Sequence, residues 1–178
     1  LGLIHGWAMH SGLFAPLVDR LAERYTLHLV DLPGHGHARD DDSALEPVAL
    51  ARVLVTRVPD AVWLGWSLGG QIALRAALDH PEQVRGLVMV AASPRFVRSD
   101  DWPHGVGSAL FGDFGEALQR DFRGTLDGFL ALEALGSSSA QDELRKLRAQ
   151  VAPLDGEAVL EIAALVDRLF DEAGDESG

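Results

Sequence analysis

The sequence contains no cysteine, and this absence removes several kinds of chemistry at once. Without thiols the chain has no disulfide, no thiolate zinc site and no cysteine nucleophile. Long apolar runs are missing too, because none approaches the roughly 20 residues that a membrane-spanning helix needs. Residues 1–10 lack the basic start and the small-residue cleavage site of a signal peptide. We therefore expect a cytoplasmic protein that does not associate with membranes.

Positive charge is scarce. The chain has 15 Lys and Arg against 27 Asp and Glu, a net charge of −12. Nucleic-acid binding needs clustered basic residues, so we expect no nucleic-acid partner. Residues 120–150 are the exception, with five basic residues against five acidic ones: Arg120, Arg123, Arg145, Lys146 and Arg148. Two interpretations stay open for this segment, an ordinary solvated helix face and a docking face for an acidic partner.

Up to about Pro94, short apolar runs alternate with helical stretches. Each run is too short for a helix and is closed by a turn, which predicts strands buried on both faces. The predicted strands are Leu1–Ile4, Leu27–Val30, Ala61–Leu64 and Leu87–Val90, and the predicted helices are Phe14–Arg24, Pro47–Arg57 and Gly70–Asp79. This alternation predicts an α/β fold with a parallel sheet and right-handed crossovers over residues 1–99.

The pattern changes after Pro94. Residues 111–170 contain no convincing strand, and their apolar residues recur at i, i+4 spacing, which is typical of helices. We expect an all-helical insertion over residues 100–173, acting as a cap over an active site. Residues 174–178 are expected to form a polar, disordered tail.

The sequence Gly65-Trp66-Ser67-Leu68-Gly69 matches the pattern G-x-S-x-G. It follows a predicted strand and opens a predicted helix, which is the context that a nucleophile elbow requires. Glycines are needed where strand and helix approach each other, and the turn aims the Leu68 N–H at a developing oxyanion. We therefore predict that Ser67 is a catalytic nucleophile. The alternative is a purely structural Gly-rich turn in which the serine has no catalytic role.

A second loop, His5-Gly6-Trp7, follows the first predicted strand. In a hydrolase with a nucleophile elbow, the loop after an earlier strand supplies the second N–H donor to the oxyanion. The Trp7 N–H is the candidate for this second donor. We expect His5 to hold the loop through ring hydrogen bonds rather than to act as a base.

Other histidines are weaker candidates for chemistry. His35 and His37 lie near Asp31 in a Gly-rich turn but lack a third ligand on an ordered scaffold, so we predict no metal site. His104 follows Ser67 in the chain but lies in a Pro-His-Gly turn, which makes it a poor general base.

Taken together, these motifs resemble the α/β-hydrolase superfamily. Within it the chain is similar to the pimeloyl-[acyl-carrier protein] methyl ester esterases over residues 1–150. The residues that carry this likeness are His5–Trp7, Leu27–Gly34, Trp63–Gly70, His80–Glu82, Asp101–Pro103 and Phe129–Leu132.

The resemblance implies a serine carboxylesterase of biotin synthesis that needs no cofactor. It implies that Trp7, Ser67 and Leu68 contact the substrate and that a cap segment lines the acyl chain: Phe129, Leu130, Ala131, Leu132 and Glu133. It also implies docking of an acidic acyl-carrier protein on cap arginines. Gly124 and Gly128 stand where basic residues are expected, while Arg123, Arg145 and Arg148 lie close by in the sequence.

One feature departs from the family pattern. The acid and the histidine of a hydrolase triad follow the serine after later strands, yet every histidine here lies at or before His104. We therefore expect a truncated chain that lacks both groups, with little activity of its own. The sequence leaves the oligomeric state open, with a monomer favoured. Open alternatives are a general short-chain carboxylesterase, a C–C hydrolase, a menaquinone-pathway lyase and a non-catalytic binding module. A haloalkane dehalogenase is excluded because its nucleophile would be Asp.

Overall fold

A parallel four-stranded sheet forms the centre of the first part of the chain. The computed structural model describes residues 1–43, 47–136 and 138–151. The strands are β1 (Gly2–Ile4), β2 (His28–Val30), β3 (Ala61–Trp66) and β4 (Val84–Val90), in the order β2-β1-β3-β4. All three pairings are parallel, as predicted from the sequence. The carboxyl ends of all four strands therefore lie along one edge of the sheet.

Each strand connects to the next through a helix. The helices are α1 (Ala15–Leu21), α2 (Pro47–Arg57) and α3 (Leu68–Asp79). The predicted bounds of α2 are confirmed. The first predicted helix is shorter than expected, because a 3-10 turn over Ser11–Phe14 precedes α1. Strand β4 begins at Val84, three residues before the predicted Leu87. The prediction missed this start because Arg85 and Gly86 interrupt the apolar run that marks the strand.

Apolar side chains from the strands and helices meet in a buried core. Leu3, Ile4 and Trp63 of the sheet are fully buried, as are Leu50 and Leu54 of α2 and Ile72, Ala73 and Ala76 of α3. Burying a large apolar side chain contributes about 1.5–3 kcal/mol. The short central strands are therefore fixed mainly by this packing, and the turns at their carboxyl ends start from a rigid base.

The chain divides into two compact units between Phe96 and Val97. The second unit contains α4 (Ser108–Arg120), α5 (Phe122–Glu133) and α6 (Ala140–Gln150). Its described residues form no strand beyond two isolated bridges, Val97 to Val106 and Ser99 to Trp102. The helical character predicted for this part is thus present up to α6. The predicted helix over residues 159–170 and the predicted tail over residues 174–178 lie outside the described residues.

The sequence pattern did not reveal that α4 and α5 are separate helices. Apolar residues continue at i, i+4 spacing from Phe114 through Leu118 and Phe122 to Leu126. The helices separate at Asp121, whose carboxylate accepts the N–H of Gly124 at 3.0 Å and caps α5. Aspartate is among the preferred residues at such a position. Among the described helices, none is long and apolar enough to cross a bilayer.

Candidate active site

Ser67 occupies the turn between β3 and α3, with backbone angles φ 53° and ψ −121°. A positive φ is uncommon for a residue other than glycine and costs on the order of 1–3 kcal/mol, so such residues concentrate at functional sites. The Ser67 N–H donates to the carbonyl oxygen of Val90 at 2.9 Å, and the Ser67 carbonyl accepts the N–H of Gly70 at 2.9 Å. These bonds hold the strained turn between the ends of two strands and the start of α3.

Glycines on both sides of Ser67 allow this close packing. A methyl group on Gly65 would overlap the carbonyl group of Gly69. A methyl group on Gly69 would overlap the carbonyl oxygens of Ile4 and His5, at the end of β1. Neither position can hold a larger residue without moving backbone. The G-x-S-x-G pattern predicts this close packing, because a nucleophile elbow needs glycines where the strand and the helix approach each other.

The loop after β1 lies directly against the serine. In the sheet Ile4 pairs with Gly65, so residues 5–7 emerge beside the turn at Ser67. A methyl group on Gly6 would lie 2.9 Å from Cε3 of Trp66 and 3.1 Å from Cβ of Ser67. The structure therefore brings together the two loops that are predicted from the sequence to form the halves of an oxyanion hole. Within this loop, Trp7 is 7% exposed.

Leu68 is the first residue of α3 and is 5% exposed. Amide groups in the first turn of a helix have no acceptor within the helix, and the helix dipole places partial positive charge there. The Leu68 N–H therefore suits stabilisation of a negative charge that develops beside Ser67.

His5 is buried and serves the loop as a structural group, as expected. Its Nδ1 lies 2.7 Å from the carbonyl oxygen of Gly6, and its Nε2 accepts the N–H of Leu32 at 3.0 Å. Burial lowers the pKa of His5 to about 3, assisted by the neighbouring His35 and opposed by hydrogen bonding to Gly6 and by Asp31. The ring is therefore neutral, with both nitrogens engaged.

Asp31 organises the turn after β2. Its carboxylate accepts the N–H of Ser11 at 2.6 Å and that of His37 at 2.8 Å. Burial raises the pKa of Asp31, but these hydrogen bonds outweigh burial and leave it below its ordinary value. His35 is buried, its ring centre lies 5.2 Å from that of His5, and burial lowers its pKa. Among the described residues, no three His, Asp or Glu side chains are arranged to hold a metal ion.

The described residues do not identify a general base for Ser67. The Ser67 side chain does not cap α3, and within the described part of the chain it has no hydrogen-bond partner. His5 is engaged elsewhere. His104 lies in the second unit, where its ring packs edge-on against Trp102 with centres 5.3 Å apart.

The predicted acyl-chain segment forms the last turns of α5, and its residues differ in exposure. Leu130 is 1% exposed and belongs to the core, whereas Leu132 is 65% exposed. Phe129 is half-buried, with its ring centre 6.0 Å from that of Phe114. Ala131 and Glu133 are exposed, and partial burial of the Glu133 carboxyl raises its pKa. Leu132 and Phe129 are thus the large apolar groups of this segment that remain accessible within the second unit.

Two of the three predicted docking arginines form ion pairs inside the second unit. Arg148 pairs with Asp127 of α5 at 2.9 Å, and Arg145 pairs with Asp142 at 3.0 Å. Arg123 is exposed, and within the described residues no carboxylate pairs with it. Exposed ion pairs of this kind contribute only about 0–1 kcal/mol, so a partner can replace them.

One feature of the site carried no signal in the sequence. Ala8, next to Trp7, has φ 61° and is fully buried. Residues at positive φ are usually glycine or asparagine, which makes such positions predictable from the sequence. An alanine gives no such indication. The strained residue closes the turn in which the Met9 N–H approaches the Gly6 carbonyl at 3.4 Å.

Comparison with known proteins agrees with this geometry. The sequence profile described as the alpha/beta hydrolase family matches residues 3–173. The chain belongs to the alpha/beta hydrolase family. The predicted α/β-hydrolase fold, with a parallel sheet and helices around it, is therefore confirmed.

The chain also matches individual curated relatives. It is 58% identical over 148 residues to a pimeloyl-[acyl-carrier protein] methyl ester esterase of Stenotrophomonas maltophilia, covering 83% of this chain and 57% of the relative. It is 60% identical over 148 residues to the protein of the same name from Xanthomonas oryzae pv. oryzae, covering 83% of this chain and 58% of the relative. The chain therefore spans less than two thirds of the length of these curated relatives.

Solved structures show the same fold at low identity. The chain superposes on an esterase from Exiguobacterium antarcticum with a TM-score of 0.79 and 22% identity, covering 93% of this chain and 64% of the other. It superposes on a hydrolase from Oleispira antarctica with a TM-score of 0.78 and 16% identity, covering 96% of this chain and 68% of the other.

Proposed function

We propose that this hydrolase cleaves the methyl ester of pimeloyl-[acyl-carrier protein], with Ser67 as the nucleophile, in the cytoplasm. One observation carries the proposal: Ser67 is held at positive φ at the start of α3 with the Gly6 loop against it. The choice of substrate rests on relatives of that name at 58% and 60% identity. The cysteine-free sequence is in keeping with a reducing compartment.

In the proposed reaction, Oγ of Ser67 attacks the carbonyl carbon of the ester while a general base takes its proton. The carbonyl oxygen becomes an oxyanion that accepts hydrogen bonds from the N–H groups of Leu68 and Trp7. Collapse breaks the bond to the methoxy group, which takes the proton from the base and leaves as methanol, and an acyl-enzyme remains on Ser67. Water then attacks this ester and releases the free ω-carboxylate. The hydrolysis needs no cofactor.

The base in this scheme is a separate requirement. Removing a triad member from other serine hydrolases costs on the order of 10⁴–10⁶-fold in kcat, and the remaining rate comes from the oxyanion donors and binding. No histidine among the described residues bonds to Ser67. We therefore propose that full activity requires a histidine and an acid supplied from outside the described residues.

The second unit is proposed to choose the substrate. Phe129, Leu132 and the neighbouring residues of α5 offer apolar surface for a seven-carbon acyl chain, with Leu130 holding the segment from its core side. Arg123, Arg145 and Arg148 offer positive charge to an acidic carrier protein. Such charge steers the encounter and fixes its orientation more than it adds affinity.

The test is hydrolysis of pimeloyl-[acyl-carrier protein] methyl ester by the complete gene product, followed by mass spectrometry of the carrier protein. We expect loss of the methyl group at a rate that Ser67→Ala lowers by about 10⁴-fold or more. Methyl butyrate serves as a second substrate. Equal catalytic efficiency on both esters would replace the proposal with a general carboxylesterase, and hydrolysis that survives Ser67→Ala would remove Ser67 from the mechanism.

A further inference from the structure

We propose that Gln71 is a positioning residue for the nucleophile. Its side chain anchors the segment after β4, residues 90–93, and so keeps the Val90 carbonyl against the Ser67 N–H. The inference rests on the proposed function, because it takes Ser67 as the nucleophile. Gln71 does not touch the substrate in this account. It acts through the backbone of residues 90–93, which lie with it in the first unit.

The anchor is a hydrogen bond between α3 and the segment after β4. Nε2 of Gln71, in the first turn of α3, donates to the carbonyl oxygen of Ser93 at 3.1 Å. The next residue is Pro94, and a proline disfavours helical conformations of the residue before it. The Ser93 hydroxyl also donates to the carbonyl oxygen of Arg95 at 2.9 Å. Ser93 therefore presents its carbonyl to Gln71 from a backbone that is itself restricted.

The same segment lies against the start of α3 at two further points. The Ser67 N–H donates to the Val90 carbonyl oxygen at 2.9 Å, at the end of the ladder between β3 and β4. A methyl group on Gly70 would lie 2.5 Å from Cβ of Ala92. The segment thus runs along the first turn of α3, with the bond to Ser67 at one end and the bond from Gln71 at the other.

Ala91 makes this segment strained. Its φ is 46°, in the left-handed region that residues other than glycine rarely adopt. The φ of Ala91 and the ψ of Val90 turn the same peptide group, because the peptide between them is planar. If that group rotates until Ala91 reaches a negative φ, the Val90 carbonyl turns away from Ser67. The bond from Gln71 opposes this rotation, since it fixes the chain two residues beyond Ala91.

Ser67 depends on the Val90 carbonyl because its own backbone is strained, with φ 53°. Ser67 precedes α3, so its N–H lies outside the hydrogen bonds of the helix, and the Val90 carbonyl is its acceptor. Loss of this bond would let the serine backbone move, and Oγ and the Leu68 N–H would move with it. The proposed reaction needs both groups aligned with the ester carbonyl.

Three variants isolate the role of the Gln71 amide. Gln71→Met keeps a side chain of similar length and removes the donor. Gln83→Met is the matched control, because Nε2 of Gln83 donates to the carbonyl oxygen of Val55 at 3.5 Å, before the start of β4 and thus at the other end of this strand from Ser67. The double variant Gln71→Met, Ala91→Gly tests the strain, since glycine adopts positive φ readily and removes the drive for the peptide to turn.

Amide hydrogen exchange, followed by NMR on the complete gene product, is the first readout because it needs no catalysis. In Gln71→Met we expect the Ser67 amide to exchange about ten-fold faster or more, since a local opening exposes this amide alone. The amides of the buried strand β1 should keep their wild-type protection. In Gln83→Met the Ser67 amide should exchange as in the wild type, and Ala91→Gly should restore slow exchange to Gln71→Met.

Hydrolysis of a short ester is the second readout. Gln71→Met should lower kcat by about three- to ten-fold with little change in KM, since a misplacement of about 1 Å can cost as much as about 10²-fold. Gln83→Met should keep the wild-type kcat. Adding Ala91→Gly should return most of kcat to Gln71→Met. A residue that only stabilises the first unit predicts a lower melting temperature for Gln71→Met but no change specific to Ser67.

Three results overturn the proposal. These are wild-type exchange of the Ser67 amide in Gln71→Met, faster exchange throughout β1 as well as at Ser67, and no recovery on adding Ala91→Gly. Failure of Gln71→Met to fold would likewise make Gln71 a residue of overall stability alone. Absence of any Ser67-dependent hydrolysis in the wild type refutes the proposed function instead. Exchange of the Ser67 amide still decides the role of Gln71 in that case.

Discussion

Gly65 and Gly69 face each other across the turn at Ser67, so closely that a methyl group on Gly65 would overlap the carbonyl of Gly69. The two glycines therefore allow α3 to begin directly beside the end of β3. This approach places the Leu68 N–H in the first turn of a helix, directly after the serine in the chain. The local fold of the site depends on the absence of two side chains as much as on the presence of one.

Replacing Gly69 should damage the fold as well as the site. In Gly69→Ala the new methyl group meets the carbonyl oxygens of Ile4 and His5, which belong to backbone and cannot rotate away. We expect a loss of about 1–3 kcal/mol in the free energy of unfolding, measured by urea denaturation. Gly112→Ala is the matched control, because Gly112 lies inside α4 with open space around it and should gain about 0.5–1 kcal/mol. Equal stability of the two variants would contradict the packing described here.

Acid should destabilise the protein through its buried histidines. The folded-state pKa of His5 is about 3, below the value of 6.5 for an unfolded histidine, so the unfolded chain binds more protons between these values. Its contribution is complete above about pH 6.5 and is lost as pH falls toward 3. His35 shifts in the same direction. One histidine gives a slope of about 1.4 kcal/mol per pH unit once its unfolded form is protonated.

Urea denaturation at several pH values between 6.5 and 4.5 checks this expectation. This range lies above the unfolded pKa of Asp31, whose lowered folded pKa removes stability only below about 3.8. His5→Asn, which removes one titrating group, should flatten the slope. A free energy of unfolding that stays constant or rises as pH falls from 6.5 to 4.5 would mean that neither histidine is held neutral in the fold.

The accessible leucine of α5 offers the cleanest test of acyl-chain selection. Leu132 is 65% exposed, so Leu132→Ala should leave the melting temperature almost unchanged. If its side chain contacts a seven-carbon acyl group, KM for methyl pimelate should rise by up to about ten-fold, with no change for methyl acetate. Phe129→Ala should have the same selectivity, together with some loss of stability from its contact with Phe114.

Leu135→Ala is the control, because Leu135 is 72% exposed and lies just beyond α5. Equal effects of Leu132→Ala and Phe129→Ala on both esters would mean that these side chains serve only the helical unit itself.

Neutralising the exposed arginines of the second unit should affect only the substrate attached to the carrier protein. Charge reversal is unsuitable, because glutamate at position 148 or 145 would stand beside Asp127 or Asp142. We therefore predict that the triple variant Arg123→Gln, Arg145→Gln, Arg148→Gln lowers kcat/KM for pimeloyl-[acyl-carrier protein] methyl ester by about ten-fold or more. Hydrolysis of free methyl pimelate should be unchanged.

A matched control neutralises three exposed arginines of the first unit, Arg20, Arg24 and Arg52. Rising salt should bring kcat/KM of the wild type toward that of the second-unit variant, since exposed charges are screened over about 8 Å at physiological ionic strength. Equal loss of kcat/KM in both triple variants would mean that overall charge causes the effect. It would contradict a docking face at Arg123, Arg145 and Arg148.

The sheet and the nucleophile turn were predictable because their determinants are local. Four apolar runs marked the strands, and Gly65 and Gly69 marked a turn with no room for side chains. The start of β4 was missed because Arg85 lies at an exposed position, where it pairs with Asp60 at 3.0 Å. An exposed position in a strand tolerates such a residue, so hydrophobicity alone does not find the beginning of β4.

The loop network beside the nucleophile was less predictable because its contacts are distant in sequence. His5 and Leu32 are 27 residues apart, and no local pattern reports their bond or the low pKa that burial gives His5. Ala8 has a positive φ although alanine favours helices, so the sequence gives no sign of this strained turn. The roles of Trp7, Leu68 and the α5 segment remain predictions.

Covalent labelling of Ser67 tests the central claim most directly. The complete gene product is treated with a fluorophosphonate, and the modified residue is identified by peptide mass spectrometry, with Ser67→Ala and Ser11→Ala run in parallel. The account predicts a single adduct on Ser67, present in the wild type and in Ser11→Ala and absent from Ser67→Ala. An adduct that persists in Ser67→Ala, or a folded wild-type protein that hydrolyses esters while Ser67 stays unmodified, would contradict it.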